Sequence, residues 1–209
     1  MTGRKAASVA AGRTDAGVHA AGQVVQFRTA SRLPIEKWVG ALNAHLPADV
    51  SVLEAREAPK GFHAQFSATS KTYAYTVWNA RGRSALLLNR AWQVPVPLSL
   101  PAMRRAAKLL EGRRDFRAFA QAEGARARKS TVRTLKAVRI SAAGPRITLA
   151  FTGDGFLTHM VRILAGTLVE VGKGKRSPRD VAGILASRDR RRAGITAPPQ
   201  GLCLMEVRY

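Results

Sequence analysis

The sequence is poor in acidic side chains: 13 Asp and Glu stand against 35 Lys and Arg, a formal net charge of +22. A surface charged so much to one sign repels itself, and a polyanion is the expected partner. Cysteine is nearly missing. Cys203 stands alone, which excludes a disulfide framework or a cysteine zinc site within the chain and predicts a reducing compartment, the cytoplasm. No apolar run approaches the roughly 20 residues that span a bilayer. Met1-Thr2-Gly3-Arg4-Lys5 is not followed by the apolar block of a secretion signal. A protein lying on a membrane would carry a basic amphipathic helix. Here the basic residues are dispersed over loops and several elements, densest from Arg104 to Arg139 and from Lys173 to Arg192. The expectation is a soluble, cytoplasmic, nucleic-acid-binding protein with no membrane partner.

A length of 209 residues suits one large domain or two small ones. The densest stretch is Gly12-Arg13-Thr14-Asp15-Ala16-Gly17-Val18-His19-Ala20-Ala21-Gly22, which runs into the alternating Gln23-Val24-Val25-Gln26-Phe27. Its glycines let backbone come close to a planar substrate and set one carboxylate, Asp15, on a tight loop at a strand edge. An Asx-turn is the plain alternative, since Asp beside Gly is ordinary loop chemistry. A phosphate-cradling P-loop is not: Val18-His19 stands where Lys-Ser/Thr would have to be.

Along the chain, Val24 to Arg28 reads as a strand. Ser31 caps a helix from Pro34 to His45 with Trp38, Val39 and Leu42 as its apolar stripe, and Val50 to Glu57 reads as a second strand. Ser70 to Trp78 is a strong strand with Tyr73, Tyr75 and Val77 on one face. Arg90 to Val94 is another, after which Pro95 and Pro97 suggest a boundary between an N-terminal domain, 1–97, and a C-terminal domain, 98–209. Ser99 caps a helix to Glu111 with Met103, Ala106, Ala107 and Leu110 inward. The polar stretch Gln121 to Ser130 reads as a mobile loop that a bound nucleic acid would order. Gly144-Pro145 turns a strand ending near Ser141 back into Arg146 to Thr152. Ser177-Pro178-Arg179-Asp180 opens a last helix to Ser187.

The segment Phe156 to Val169 is apolar almost all round and so predicts a buried helix, with Arg162 its one formally charged residue. A lone guanidinium in such a helix needs an acidic partner or a route to solvent. If the partner is Asp15, the pair fixes the carboxylate's rotamer. At about 4 Å and an effective dielectric near 20 the attraction is on the order of 4 kcal/mol before desolvation is subtracted.

Arg13-Thr14-Asp15-Ala16-Gly17-Val18-His19-Ala20 with Gly22-Gln23 resembles the signature of the tRNA pseudouridine synthase A family, whose members act on the anticodon arm. Lys71-Thr72-Tyr73-x-Tyr75 is similar to its second motif and Gly155-Phe156-Leu157-x-His159-Met160-Val161-Arg162 to its third. Asp115-Phe116-x-x-Phe119, Lys129 to Thr134 and Ala197-Pro198-Pro199-x-Gly201-Leu202 also match. The resemblance implies an α+β pseudouridine synthase fold, a mixed and mostly antiparallel sheet from two similar α+β halves with a central cleft. It implies Asp15 as nucleophile, Arg162 as its partner, Tyr73 against the target uracil and Leu202 as the apolar wall of the pocket. Arg13 would occupy the base stack after the uridine flips out. Arg32, Phe62, His63, Ala64, Gln65 and Phe66 would contact RNA, although Phe62, His63 and Phe66 equally suit a strand-end core cluster. A homodimer gripping one tRNA, and modification at positions 38, 39 or 40, are likewise implied.

The chemistry agrees with a single carboxylate. Glycoside hydrolysis normally takes two, whereas detaching uracil, turning it and rejoining it through C5 needs no water and one nucleophile. Neither a metal nor a nucleotide cofactor is called for. Family members begin with a further strand and helix bearing Tyr-Asp-Gly and Gly-Trp-Gln. Eleven residues precede Gly12 here, so the first domain is expected to be short of a strand and a helix and to leave a sheet edge unpaired. The alternative reading is a non-catalytic basic α+β protein that binds RNA.

Overall fold

Alternation of apolar and polar residues builds most of this computed structural model, which describes residues 6–121 and 130–209. The chain divides into two units, Met1–Gly12 with Val24–Ser67 and Arg13–Gln23 with Ala68–Tyr209. Among the described residues the architecture is mixed α+β with a mostly antiparallel sheet.

In the smaller unit, β1 (Ser8–Ala10) and β3 (Val25–Phe27) pair antiparallel. Helix α1 (Trp38–Asn43) follows a 3-10 turn, Ile35–Lys37. Trp38 is its buried residue; the indole N–H donates to the Leu33 carbonyl at 3.1 Å and the ring lies 5.4 Å from Phe27. Ser31 does not cap this helix: its hydroxyl accepts from Leu33 N instead, a local turn. Residues 50–57, expected as a strand, have no regular structure. The Asn43 side chain explains this, since its amide donates to Val52 O at 2.9 Å and accepts from Val52 N at 2.7 Å. One side chain thereby satisfies both backbone groups of Val52, which a ladder would have used.

The larger unit is a seven-stranded sheet. Its path runs β2 (His19–Ala20), β9 (Leu202–Arg208), β4 (Ser70–Trp78), β8 (Arg146–Gly153), β7 (Val132–Ala143), β6 (Gly112–Asp115), with β5 (Trp92–Gln93) beside the end of β4. Among the described residues only β2 with β9 and β5 with β4 are parallel. Tyr73, Tyr75 and Val77 of β4 and Ile147, Leu149 and Phe151 of β8 are buried on alternate positions. On β7 the register slips between Leu135 and Ala137, so Leu135 and Val138, three residues apart, are both buried. Gly144, at φ 56°, and Pro145 turn β7 into β8. The strand expected over Arg90 to Val94 pairs only at Trp92–Gln93.

Helices α2 (Leu100–Leu110), α3 (Met160–Gly172) and α4 (Asp180–Ser187) contribute to one core with these strands. Ser99 caps α2 through its hydroxyl. Ser177 and Asp180 bond reciprocally at the start of α4, Ser177 N to the carboxylate and Asp180 N to the hydroxyl. The division expected near residue 97 lies inside this unit, because β4 precedes it and pairs with β8 and β9, which follow it. The polar stretch expected between Gln121 and Ser130 falls, at 122–129, outside the described residues.

Candidate active site

The loop carrying Asp15 is shaped by turn chemistry and then docked as a strand. Val18 N donates to Asp15 O at 3.0 Å, closing a turn whose third residue, Gly17, has φ 79°. Only glycine takes that conformation without steric cost. Beyond the turn, His19 and Ala20 pair with Cys203 and Leu204, and the N–H groups of Ala21 and Gly22 both donate to Leu204 O, at 2.8 and 3.2 Å. The register of β4 against β9 skips Met205, and a β-carbon at Gly22 would stand 2.4 Å from the Met205 carbonyl oxygen. Glycine is therefore required where the loop crosses this bulge.

The buried helix α3 supplies the other half. Arg162 donates through Nη1 to Asp15 Oδ2 at 2.7 Å and through Nε to Ala197 O at 2.8 Å, while Ala197 N donates back to Arg162 O at 3.1 Å. The Arg162 side chain is 13% exposed, so the guanidinium does not snorkel; Asp15 is the acid the helix required. Asp15 itself is one-third exposed, open enough for a reactant. His159, which sequence reasoning left unassigned, places Nε2 3.1 Å from the same Oδ2.

Tyr73 and Leu202 are buried on neighbouring strands, β4 and β9. Burial, together with the negative charge of Asp15, pushes the Tyr73 phenol up to about 12. Its ring meets Phe156 edge-on at 5.0 Å. Tyr75, beside it on the same face, donates to Pro198 O at 2.8 Å, and burial raises its phenol also. Gly201 admits the Tyr75 ring, since a β-carbon there would lie 2.7 Å from it. Thus Arg162 is hydrogen-bonded to Asp15, His159 lies within 3.1 Å of the same oxygen, and the Asp15 charge reaches Tyr73. Arg13 is exposed, two residues before the carboxylate.

The remaining expected contact residues belong to the smaller unit. Arg32 and Gln65 are exposed, Ala64 is buried and Phe62 and His63 are half-buried. His63 organises a tight turn in which its Nδ1 accepts from Gln65 N and Phe66 N, both at 3.2 Å. Gln26 holds Phe62 O and Ala64 N with its side-chain amide. Phe66 is 76% exposed and lies 4.3 Å from the His63 ring, so it is not a core residue within its own unit.

Among the described residues no group of three His, Cys, Asp or Glu is placed to hold a metal, and no helix is long and apolar enough to cross a membrane.

A family model described as tRNA pseudouridine synthase matches residues 3–67 and 106–209. The chain is 47% identical to the tRNA pseudouridine synthase A of Moorella thermoacetica over 209 residues, all of this chain and 84% of that protein. It is 46% identical to the Geobacillus kaustophilus enzyme of that name over 99% of this chain and 80% of that one. With the Geobacter sulfurreducens enzyme it shares 48% identity over 96% of this chain and 81% of the relative.

Proposed function

The chain belongs to the tRNA pseudouridine synthase family, whose reaction is the isomerisation of uridine in tRNA, and we propose that Asp15 is its nucleophile and the anticodon stem-loop its target. Positions 38, 39 and 40, alone or together, are the uridines in question. The observation that carries this reading is the Asp15–Arg162 pair, a carboxylate held at 2.7 Å by a nearly buried guanidinium that is itself anchored on Ala197.

In the proposed reaction an Asp15 oxygen bonds to C1′ as the N1–C1′ bond breaks and its electron pair leaves on the uracil. The free ring turns between Tyr73 and Leu202. C5 then bonds to C1′, the Asp15–C1′ bond breaks, and the carboxylate regains its electrons. One proton leaves C5 and one is gained at N1, so the reaction balances without a cofactor.

Tyr73 enters this scheme protonated, because a phenol pushed up to about 12 keeps its proton near neutral pH. Forming the Asp15–C1′ bond neutralises the carboxylate and removes one of the two causes that hold the phenol up. Tyr73 is thereby better suited to handle the C5 proton after the nucleophile has reacted than before.

Arg13, exposed on the same loop, is suited to fill the stack that the flipped uridine leaves. Arg32 and the turn Phe62-His63-Ala64-Gln65-Phe66 offer a cation and an exposed ring for RNA backbone and bases. The +22 charge supports the rest of the tRNA contact. A cytoplasmic homodimer gripping one tRNA across both subunits completes the proposal.

Tritium release from tRNA labelled at uridine C5 tests it. Asp15→Asn should lower release by more than about 10⁴-fold, as loss of a nucleophile does elsewhere, while tRNA binding stays within a few-fold. Equal release from wild type and variant would remove Asp15 from the chemistry. Binding without release by either protein would instead support a non-catalytic RNA-binding protein.

A further inference from the structure

The group least accounted for in the cluster is the imidazole of His159. We propose that His159 is a second positioning residue for Asp15: it donates Nε2–H to Oδ2 beside Arg162, so that the carboxylate is gripped through one oxygen and presents the other, Oδ1, to C1′. The proposal rests on the reading of Asp15 as nucleophile.

Three observations carry it. First, Arg162 Nη1 and His159 Nε2 converge on the same oxygen, at 2.7 and 3.1 Å. A single hydrogen bond leaves a carboxylate free to pivot about its Cβ–Cγ bond. Two donors arriving from different residues remove that freedom, which is the kind of orientation that shortens the path to a reactive geometry. A carboxylate cannot donate, so the proposed bond requires the hydrogen on Nε2.

Second, the His159 backbone is left-handed, φ 61° and ψ 4°. Among the described residues the other non-glycine positions of positive φ are Asn89 and Arg188, neither of them in the cluster. Such a conformation is uncommon for a residue with a β-carbon, and surrounding structure must hold it. Third, His159 occupies the N-cap position of α3 and yet makes no side-chain cap. A Ser, Thr, Asp or Asn at that position ordinarily turns back onto the helix's first N–H groups. Here the turn sends the ring to the Asp15 loop instead, and the three-residue spacing to Arg162 brings both donors to one side of the helix.

The test uses the whole protein and single-turnover isomerisation at saturating tRNA, with tRNA affinity and melting temperature measured in parallel. His159→Leu removes the donor and His159→Gln keeps an N–H of similar reach. His159→Asn suits the left-handed backbone but is too short to reach Oδ2. His159→Leu and His159→Asn should lose about 10- to 100-fold in single-turnover rate at unchanged affinity, and His159→Gln should recover most of it. Should Leu and Asn variants that melt like wild type also react like it, the proposal fails. It fails too if Gln recovers none of the rate that a well-folded Asn variant loses. Asp15→Asn is the control: if that variant still isomerises, the nucleophile assignment falls and takes this inference with it, whereas an inactive Asp15→Asn beside a fully active His159→Leu removes this inference alone.

Discussion

Arg162 makes two directed bonds with one side chain, to Asp15 Oδ2 and to Ala197 O. A planar guanidinium can aim Nε and Nη1 at separate acceptors; a lysine ammonium reaches one and leaves the other without a donor. Arg162→Lys should therefore slow the chemical step by about 10²-fold, the cost expected of a carboxylate misplaced by a fraction of a bond length to an ångström. Rapid-quench measurement at saturating tRNA checks this, and a rate within two-fold of wild type would mean that charge alone is needed. At this scale the sequence was informative about Arg162, because an oily helix with one cation demands a partner. It was silent on His159. Nothing in Leu157-Thr158-His159-Met160 marks a left-handed residue, and the ring's role follows from that backbone angle.

Helix α3 and the segment 193–197 interlock through glycines and one hydroxyl. A β-carbon at Gly166 would stand 2.0 Å from Ile195 O, and one at Gly194 would stand 2.7 Å from the Thr167 Cα. The Thr167 hydroxyl donates to Ile163 O at 2.8 Å and accepts from Gly194 N at 2.9 Å. This seating fixes Ala197, and Ala197 in turn holds the guanidinium. Gly166→Ala should destabilise the protein by about 1–3 kcal/mol through overpacking and reduce activity, since Ala197 must shift. Gly183→Ala on α4 meets nothing within 4 Å and should stabilise by about 0.5–1 kcal/mol. Urea titration of the two variants side by side distinguishes steric conflict from a general effect of replacing helical glycine. Elements with strong periodicity, β4, β8, α2 and α3, were legible in the sequence. Residues 50–57 were not, because the Asn43 amide took the Val52 backbone groups that a partner strand would have paired.

Over the whole molecule, alkaline pH probes the core that supports the site. Tyr73 and Tyr75 are buried and both phenols are raised, Tyr73 to about 12. A phenol whose folded pKa lies above its unfolded value of about 10 contributes its full stabilisation below pH 10. That contribution is lost as pH climbs toward 12, because only the unfolded chain ionises freely in that range. The melting temperature should fall across that window, and less steeply in Tyr73→Phe than in wild type; identical slopes would mean that Tyr73 does not titrate late. The sequence by itself determined the charge that suits a polyanion, the alternation of the main strands, the buried character of α3 and its need for an acid, because composition and periodicity are local properties. Only the tertiary structure decided that Asp15, 147 residues from Arg162, is that acid and that His159 joins it. Their meeting depends on β2 docking along β9, on a bulge that only Gly22 can cross, and on a helix seated by glycines, none of which any single stretch of chain encodes.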